Sequence, residues 1–315
     1  MKRDLLSIAD LGPEDIREIF LLAKQLKTAL RAGRAHRRLE GSALAMIFEK
    51  PSLRTRVTFE IGIAQLGGTA VYLAPGDIHL GERESVADIG RNLCRWVDLI
   101  VARTFSHEAV IELAANATVP VINGLSDREH PCQVLADCFT LIEKRKRLAG
   151  LRLAFVGDGN NVVHSMILAS ARLGFDFRLA CPHGYEPDAQ VLALARRSKG
   201  GSVMITHSVA EAVRGADVLY TDVWTSMGQE AEAVKRRKKF NGYQINAETL
   251  ALAAPRALVM HCLPAHRGDE ITDEVLDGPQ SIVLDQAENR LHVAKAVLLA
   301  LLGDVKQPPG GKTLQ

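Results

Sequence analysis

Short apolar segments of strand length alternate with helix-length segments along most of this chain, and this alternation limits the fold more than any other feature. Repeated strand–helix–strand units predict parallel sheets with helices on both faces, because parallel strands need crossover connections. The expected strands are 43–48, 69–73, 98–103, 119–122, 151–156, 177–181, 203–206, 218–223 and 257–262. The expected helices are 52–66, 85–96, 108–116, 131–143, 161–173, 188–197, 210–214, 247–252 and 288–302. The predicted fold class is therefore α/β, with two doubly wound parallel-sheet halves.

The two halves are expected to meet near residues 130–150, where a long helix ends in a basic run and a second strand–helix series begins. The length of 315 residues agrees with about two domains of roughly 150 residues each. Residues 75–84 are expected to form a polar loop. Residues 226–242, which include the basic run 235–239, are expected to form an exposed loop or helix.

Composition and charge exclude several classes of protein. With 47% hydrophobic and 24% charged residues the chain is not expected to be disordered, and a net charge of +2 gives no sign of a nucleic-acid partner. The sequence has no run of 18 apolar residues, so no membrane span is expected. The amino terminus lacks the apolar core of a signal peptide. Five cysteines without a CxxC pair favour reduced thiols over disulfides or a zinc site. A cytoplasmic location is expected.

The segment from Ser52 to Arg56 opens a predicted helix directly after a predicted strand. A helix amino terminus offers free N–H groups and the positive end of the helix dipole, which together favour an anion. Ser52 and Thr55 add hydroxyl donors, while Arg54 and Arg56 add guanidinium charge. The pattern predicts a phosphate cradle. The alternative, of equal weight on this segment alone, is a capped helix with two surface arginines.

A histidine and a glutamine open another predicted helix, at His130 and Gln133. Their spacing of three places both side chains on one helix face. Such a pair can bind a carbonyl oxygen and an amino group. On this segment alone, a capping histidine beside an exposed glutamine is the more ordinary interpretation.

Polar side chains also follow two strands of the second half, where ligands bind in α/β sheets. Asp222 is a carboxylate able to hold an ammonium group, unless it belongs to an ordinary polar turn. Cys262 lies in a His-Cys-Leu-Pro segment. Without a Ser/Cys–His–Asp arrangement, a binding role is favoured over a nucleophile, and a buried structural thiol is the alternative.

The glycine-rich segment 157–161 suggests a dinucleotide loop at first sight. Val162 occupies the position of the third glycine, and the next predicted strand ends in Cys181-Pro182 without an acidic residue for a ribose. Nicotinamide binding is therefore disfavoured. The loop can still bind a small carboxylate through backbone N–H groups and Asn161.

In this order the motifs resemble those of the ornithine carbamoyltransferases, over nearly the whole chain. The matching segments are Ser52-Leu53-Arg54-Thr55-Arg56, Arg103-Thr104-Phe105, His130-Pro131-Cys132-Gln133, Asp222 with Ser226-Met227-Gly228, His261-Cys262-Leu263-Pro264 and Glu288-Asn289-Arg290. The Asp-x-x-x-Ser-Met-Gly element is similar to the ornithine branch, in contrast to aspartate or N-acylated ornithine relatives.

The resemblance implies two α/β domains and a homotrimer with sites at subunit interfaces. A carbamoyl phosphate-binding domain would span 1–134 and include the returning carboxy-terminal helix at about 290–305. Residues 135–149 would form an interdomain helix, and 150–289 an ornithine-binding domain. The implied partners are therefore carbamoyl phosphate, L-ornithine and other copies of the chain.

The resemblance also implies the roles of individual residues. The implied carbamoyl phosphate ligands are Ser52, Leu53, Arg54, Thr55, His79, Arg103, His130, Gln133, Cys262, Leu263 and Arg290. The implied ornithine ligands are Asn161, Asp222, Ser226 and Met227. The catalytic roles fall to Arg54, Arg103, His130 and Cys262. The Leu263–Pro264 bond would be cis, which costs little before proline.

Two positions depart from the family pattern. Leu53 occupies a variable position that is often threonine. His79 stands where many members carry a glutamine that reaches into the neighbouring subunit's site. Both side chains donate hydrogen bonds, so His79 is kept as a weaker site residue whose protonation would add a pH dependence near 6.5.

The implied reaction is attack of the ornithine δ-amine on the carbonyl carbon of carbamoyl phosphate, which gives citrulline and phosphate. It has no redox step, so no cofactor or metal is expected. The alternatives are a carbamoyltransferase for putrescine or an N-acylated ornithine, a non-catalytic ligand-binding relative, and a nicotinamide oxidoreductase.

Overall fold

In the computed structural model, which describes residues 4–198, 200–225, 228 and 230–303, the chain forms two parallel β-sheets with helices on their faces. The first sheet has the order β2-β1-β3-β4 and the second the order β7-β6-β5-β8-β9. The strands are β1 Ala43–Phe48, β2 Thr69–Leu73, β3 Leu99–Arg103, β4 Val121–Leu125, β5 Arg152–Val156, β6 Asp176–Ala180, β7 Val203–Thr206, β8 Val218–Thr221 and β9 Leu258–His261. The predicted α/β class is confirmed.

The helices are α1 Pro13–Arg31, α2 Leu53–Gln65, α3 Pro75–Ile78, α4 Val86–Leu93, α5 His107–Asn116, α6 Pro131–Arg145, α7 Asn161–Leu173, α8 Ala189–Arg196, α9 Val209–Val213, α10 Ala233–Lys239, α11 Ala247–Ala251, α12 Asp273–Leu276 and α13 Val283–Leu302. Most of them connect one strand to the next, while α1 precedes the first strand and α12 and α13 follow the last. Among the described residues no helix is both long and apolar enough to cross a membrane.

The strand order reverses once in each sheet, between β1 and β3 and between β5 and β8. At such a switch point the crossover helices leave toward opposite faces, and a crevice opens beyond the carboxyl ends of the strands. The predicted site segments follow these strands: Ser52 comes shortly after β1, Arg103 ends β3, Asn161 follows β5 and Asp222 follows β8. Topology therefore brings each motif to the carboxyl edge of its own sheet.

Several boundaries differ from the sequence prediction. The loop expected at 75–84 contains the short helix α3. The 226–242 segment, expected to be an exposed loop or helix, contains a 3₁₀ turn followed by α10. Strand β4 covers 121–125 where 119–122 was predicted, because Asn123 and Leu125 continue the pairing with β3 around an irregularity at Gly124, despite the low strand propensity of Asn and Gly. Helix α1 was not predicted.

The carboxy-terminal helix α13 returns to the first half, as expected. It packs against α1, α2 and α6. Lys295 is fully buried and donates to Gln65 Oε1 at 2.7 Å, while Lys27 of α1 donates to Asn289 Oδ1 at 2.7 Å. A Cβ on Gly62 would lie 3.3 Å from the Lys295 side chain, so a small residue allows this close approach. These contacts set the position of Arg290 on α13.

A continuous apolar cluster connects the two halves. It includes Met46 of the first sheet, Phe139 of α6, Phe155 of the second sheet and Val297 of α13, all buried. Because α6 and α13 each contribute to this cluster, the helices that carry Gln133 and Arg290 are fixed by packing on both sides.

Candidate active site

A cleft of about 2350 Å³ lies between the carboxyl edges of the two sheets. It is lined by residues from all six segments that carry the family resemblance. The predicted site residues that line it are Ser52, Leu53, Arg54, Thr55, Arg103, His130, Gln133, Asn161, Asp222, Cys262, Leu263 and Arg290.

The amino terminus of α2 forms one wall of the cleft. Ser52 is the N-cap, and its Oγ accepts from Thr55 N at 3.3 Å. The remaining N–H groups of the first helical turn have no partner within the helix, and the helix dipole adds partial positive charge there. The local structure is therefore that of an anion site.

Three arginines converge on this wall. Arg290 Nη2 donates to Thr55 Oγ1 at 3.0 Å, and Arg103 Nη1 donates to the same oxygen at 3.5 Å. Burial, with the charges of Arg290 and Arg54 nearby, lowers the pKa of Arg103 to about 10. Arg103 Nε is buried and lacks a hydrogen-bond partner among the described residues. Three cations in one place, one of them with an unpartnered buried donor, favour an anionic ligand.

Arg54 connects the two walls electrostatically. Burial lowers the pKa of this half-buried guanidinium, while Cys262 and Asp222 of the second half raise it. Arg54 therefore faces the opposite wall as well as the anion site. Arg56, which the sequence also assigned to the phosphate cradle, instead lies 3.8 Å above the ring of Tyr72 and pairs with Glu60.

His130 is a buried, neutral imidazole at the start of α6. Its backbone N–H donates to Ser165 Oγ at 2.9 Å, while its Nδ1 is buried without a hydrogen-bond partner among the described residues. Burial and the charges of Arg290, Arg103 and Arg54 lower its pKa well below 6.5. A neutral imidazole in this place can donate to a carbonyl oxygen without adding a fourth cation.

Gln133 is held by partners on both sides. Its Oε1 accepts from Arg290, and its Nε2 donates to Asp137 Oδ1 at 2.8 Å. Asp137 also accepts from Gln286 Nε2 at 2.7 Å and from the Tyr220 hydroxyl at 2.8 Å. Burial raises the pKa of Asp137 to about 6. Sequence reasoning missed Asp137, although its i,i+4 spacing from Gln133 was visible.

The opposite wall carries the carboxylate of Asp222. Its Oδ1 accepts from Cys262 Sγ at 2.9 Å, and its Oδ2 accepts from Asn160 Nδ2 at 2.9 Å. Burial and the adjacent carboxylate raise the pKa of Cys262 well above its usual value, so the thiol stays protonated. Asn161 turns its amide toward the other wall and donates to Ser126 O at 2.6 Å.

The loop after β9 is built on a buried histidine. Leu263 N donates to His261 Nδ1 at 2.8 Å, and His261 Nε2 lies 3.1 Å from Glu270 Oε1. Leu263 has a φ of 58°, and the Leu263–Pro264 bond is cis, as the resemblance implied. This geometry places Cys262 and Leu263 side by side at the cleft.

Three predicted site residues are not in this set. His79 ends α3 with 54% of its side chain exposed, lies outside the cleft of its own chain, and has its Nδ1 3.7 Å from Glu82 Oε2. Ser226 and Met227 lie outside the described residues.

A buried ion pair at the cleft was missed as well. Arg236 of α10 is 4% exposed, pairs with Asp158 and donates through Nε to Trp224 O at 2.6 Å. Burial raises the pKa of Asp158 to about 6. The prediction that residues 235–239 are exposed is therefore wrong for Arg236, because its charge is paired with a carboxylate distant in sequence.

The fold and the site define a class of protein. It is a doubly wound α/β protein in which a positively charged, anion-binding wall of the cleft faces a buried carboxylate. Residues 3–143 match the sequence model of the aspartate/ornithine carbamoyltransferase carbamoyl-P binding domain, and residues 149–301 match that of the Asp/Orn binding domain. The chain belongs to the aspartate/ornithine carbamoyltransferase family.

Individual relatives agree with this assignment. The ornithine carbamoyltransferase of Pyrococcus abyssi is 53% identical over 307 residues, which cover 96% of this chain and 97% of the relative. The solved ornithine carbamoyltransferase from Pyrococcus furiosus has a TM-score of 0.93 and 52% identity, over 97% of this chain and 98% of that one. The solved enzyme from Thermus thermophilus has a TM-score of 0.87 and 49% identity, over 96% of this chain and 99% of that one.

Proposed function

We propose that this protein is an ornithine carbamoyltransferase, which transfers the carbamoyl group of carbamoyl phosphate to the δ-amine of L-ornithine and releases L-citrulline and phosphate. The main observation behind the proposal is that Arg103 and Arg290 both donate to the Thr55 hydroxyl. This group lies beside the neutral His130 and across the cleft from Asp222. The cationic group fits a phosphorylated donor, and the carboxylate fits an amino-acid acceptor.

The phosphoryl group would lie on the α2 amino terminus. Ser52, Arg54, Thr55 and Arg103 would bind its oxygens, since they combine free N–H groups, hydroxyls and guanidinium charge at one point. As the carbon–oxygen bond to phosphate breaks, charge grows on the leaving group. The same donors therefore bind the transition state for cleavage more strongly than the intact carbamoyl phosphate, which is the requirement for catalysis.

The carbamoyl group would lie between His130, Arg103, Thr55 and Gln133. A donor aimed at the developing oxyanion of a tetrahedral intermediate contributes about 2.7–4 kcal/mol. Arg103 remains charged at neutral pH even with its pKa at about 10, and His130 remains neutral. Gln133 Oε1 can accept from the carbamoyl amino group, which an acetyl group would not offer.

The acceptor would bind on the wall of Asp222, Cys262 and Asn161. The carboxylate of Asp222 suits the α-ammonium of ornithine. The δ-amine must lose a proton to attack, and its pKa in water is about 10.4, as for lysine. Burial beside three arginines disfavours the ammonium form. The first proton leaves to solvent before attack. The neutral nitrogen then bonds to the carbonyl carbon, the carbon–oxygen bond to phosphate breaks, and the second proton of the nitrogen passes to the departing phosphate.

The domain boundaries, the homotrimer and the place of His79 belong to the same proposal. The exposed His79 is available to a neighbouring chain, and it is not in the cleft of its own chain. We place the carbamoyl phosphate-binding domain at 1–134 with the returning helix, and the ornithine-binding domain at 150–289. The cytoplasmic location stays a prediction.

Other acceptors fit the wall less well. Putrescine has neither an α-carboxylate nor an α-ammonium, and an N-acylated ornithine lacks the α-ammonium that a buried Asp222 carboxylate favours. Incubation of the protein with carbamoyl phosphate and each amine in turn tests this preference. L-ornithine should give the highest kcat/KM. A higher kcat/KM for putrescine or N-acetylornithine, or no transfer to any amine, would contradict the proposal.

A further inference from the structure

A second cluster of polar side chains lies at the carboxyl ends of β6 and β7, among residues that the proposed reaction does not use. His183 and Glu186 follow β6, and His207 follows β7. One ring nitrogen of each histidine and one carboxylate oxygen of Glu186 lie within 4.8 Å of one another. Glu186 Oε1 is 3.7 Å from His207 Nε2 and 4.0 Å from His183 Nδ1.

Backbone hydrogen bonds orient two of these three groups. His207 Nδ1 is 2.8 Å from the carbonyl oxygen of Cys181, so the proton of the neutral ring is on Nδ1 and the lone pair of Nε2 faces Glu186. A bond of this kind to the second ring nitrogen orients metal-binding histidines. Gly184 N donates to Glu186 Oε2 at 2.9 Å, which leaves Oε1 toward both imidazoles.

The loop that carries His183 is itself held in place. Tyr185 N donates to Pro182 O at 3.1 Å, and Gly159 N donates to Tyr185 O at 2.9 Å. The backbones touch so closely that a Cβ on Gly159 would lie 2.6 Å from the Tyr185 oxygen. The side chain of His183 is 83% exposed, and its ring lies against the His207 ring with the two centroids 3.5 Å apart. Bonds of about 2.0–2.1 Å to a tetrahedral ion place ligand atoms roughly 3.3 Å apart, so an ion would draw these three groups closer together than they are here.

We propose that His183, Glu186 and His207 form a binding site for a divalent transition ion of the zinc class. Two imidazoles and one carboxylate are a ligand set that zinc accepts, and the fourth position would face solvent. The borderline-soft nitrogen ligands disfavour magnesium and calcium, which bind oxygen.

The site borders the cleft. Tyr185 and Glu186 line it, and the Tyr185 ring lies 4.8 Å from the Phe240 ring and 4.9 Å from the Arg236 guanidinium. An ion on Glu186 would therefore fix the loop on which the α10 segment packs. The proposal does not depend on the carbamoyl-transfer reaction, because ion binding is measured without substrate.

Calorimetric titration of ZnCl₂ into the full-length protein tests the site. We expect one zinc ion per chain from this cluster, and His183→Gln or His207→Gln should weaken its affinity by at least roughly tenfold, a loss that changes in outer-shell partners of metal ligands already cause. The matched control is His79→Gln, which removes an exposed histidine with one glutamate neighbour and no third ligand described beside it. Its zinc affinity should equal that of the unchanged protein.

Cobalt provides the second measurement, because Asp222, His261 and Cys262 also have ligand atoms within 4.8 Å of one another. Co²⁺ at the proposed site should show nitrogen and oxygen ligation without a thiolate charge-transfer band. The proposal is overturned if His183→Gln and His207→Gln both bind zinc with the affinity of the unchanged protein. It is equally overturned if zinc does not bind, or if the only cobalt signal is a thiolate band that Cys262→Ser removes.

Discussion

The side-chain amide of Gln133 donates to Asp137 Oδ1 at 2.8 Å, and this bond decides which end of the amide faces the cleft. An ionised carboxylate only accepts hydrogen bonds, so it takes the NH₂ group and leaves Oε1 beside Arg290. The Gln133 oxygen is then available to accept from a carbamoyl NH₂ group. A buried carboxylate thereby sets the polarity of a side chain in the proposed donor site.

Asp137→Asn should damage use of carbamoyl phosphate. The asparagine can turn its own NH₂ group toward Gln133, which removes the reason for one fixed amide orientation. Hydrogen bonds to charged groups contribute about 1.5–3 kcal/mol, so kcat/KM for carbamoyl phosphate should fall by roughly 10- to 150-fold. Steady-state kinetics with ornithine saturating measure this, and a thermal melt checks the fold. An unchanged kcat/KM in a folded variant would show that the orientation of Gln133 does not matter.

The pH dependence of Asp137 should have opposite signs for activity and for stability. Its pKa is raised to about 6 in the folded chain, so the acceptor form is lost as pH falls through 6, and kcat/KM should fall with it. The folded state binds the proton more tightly than the unfolded state, so this group's contribution to the free energy of unfolding is largest below about pH 4 and decreases as pH rises through 6. Asp137→Asn should remove both effects.

Asp158 must be separated from Asp137, because burial raises its pKa to about 6 as well. Asp158→Asn is the matched control and should keep the Asp137 part of the profile. Titration of the substrate's own phosphoryl group would persist in both variants. An identical pH profile in the unchanged protein and in Asp137→Asn would exclude Asp137 as the titrating group.

Arg54 and Arg56 allow a paired test on one helix. Arg54→Gln removes a guanidinium from the cleft and should weaken carbamoyl phosphate binding by at least roughly tenfold, the value of one charge-assisted hydrogen bond. Arg56→Gln removes the same group from a position over Tyr72, outside the cleft. Equilibrium binding of carbamoyl phosphate compares them. Equal losses in the two variants would mean that the effect is general charge and not a bound phosphate.

Cys262 should be a thiol and not a nucleophile. Burial and Asp222 raise its pKa well above the usual value, and it donates to that carboxylate at 2.9 Å. We expect slow alkylation of Cys262 by iodoacetamide at pH 7, and measurable carbamoyl transfer by Cys262→Ser, whose hydroxyl can make the same bond. Mass spectrometry of tryptic peptides follows the alkylation. A covalent carbamoyl adduct on Cys262 during turnover would contradict this assignment.

The sequence predicted the sheets because buried parallel strands and their crossovers leave a local pattern that any window reveals. It also predicted the cleft, since strand ends meet at one edge regardless of the distance between them along the chain. Helix α1 was missed despite the usual start signals of Pro13 with Glu14 and Asp15 in the first turn. This helix precedes the first strand and therefore lies outside the strand–helix alternation.

The missed site features have a different cause. Arg236 lies in a basic run that is typical of an exposed surface, and only its approach to Asp158, 78 residues away, explains its burial. Asp137 meets Tyr220 across 83 residues and Gln286 across 149. No local pattern encodes such pairs. Only the contact between Gln133 and Asp137 could be predicted locally, because the two residues are four apart on one helix.

Transfer of a labelled carbamoyl group tests the central claim most directly. The protein is incubated with carbamoyl phosphate labelled with ¹³C in the carbonyl and L-ornithine labelled with ¹⁵N at the δ position, and the products are followed by NMR. The account predicts citrulline with a directly bonded ¹³C–¹⁵N pair, formed in equal amounts with phosphate. Release of phosphate without a ¹³C–¹⁵N bond, or attachment of the ¹³C carbamoyl group to the unlabelled α-nitrogen, would contradict the account.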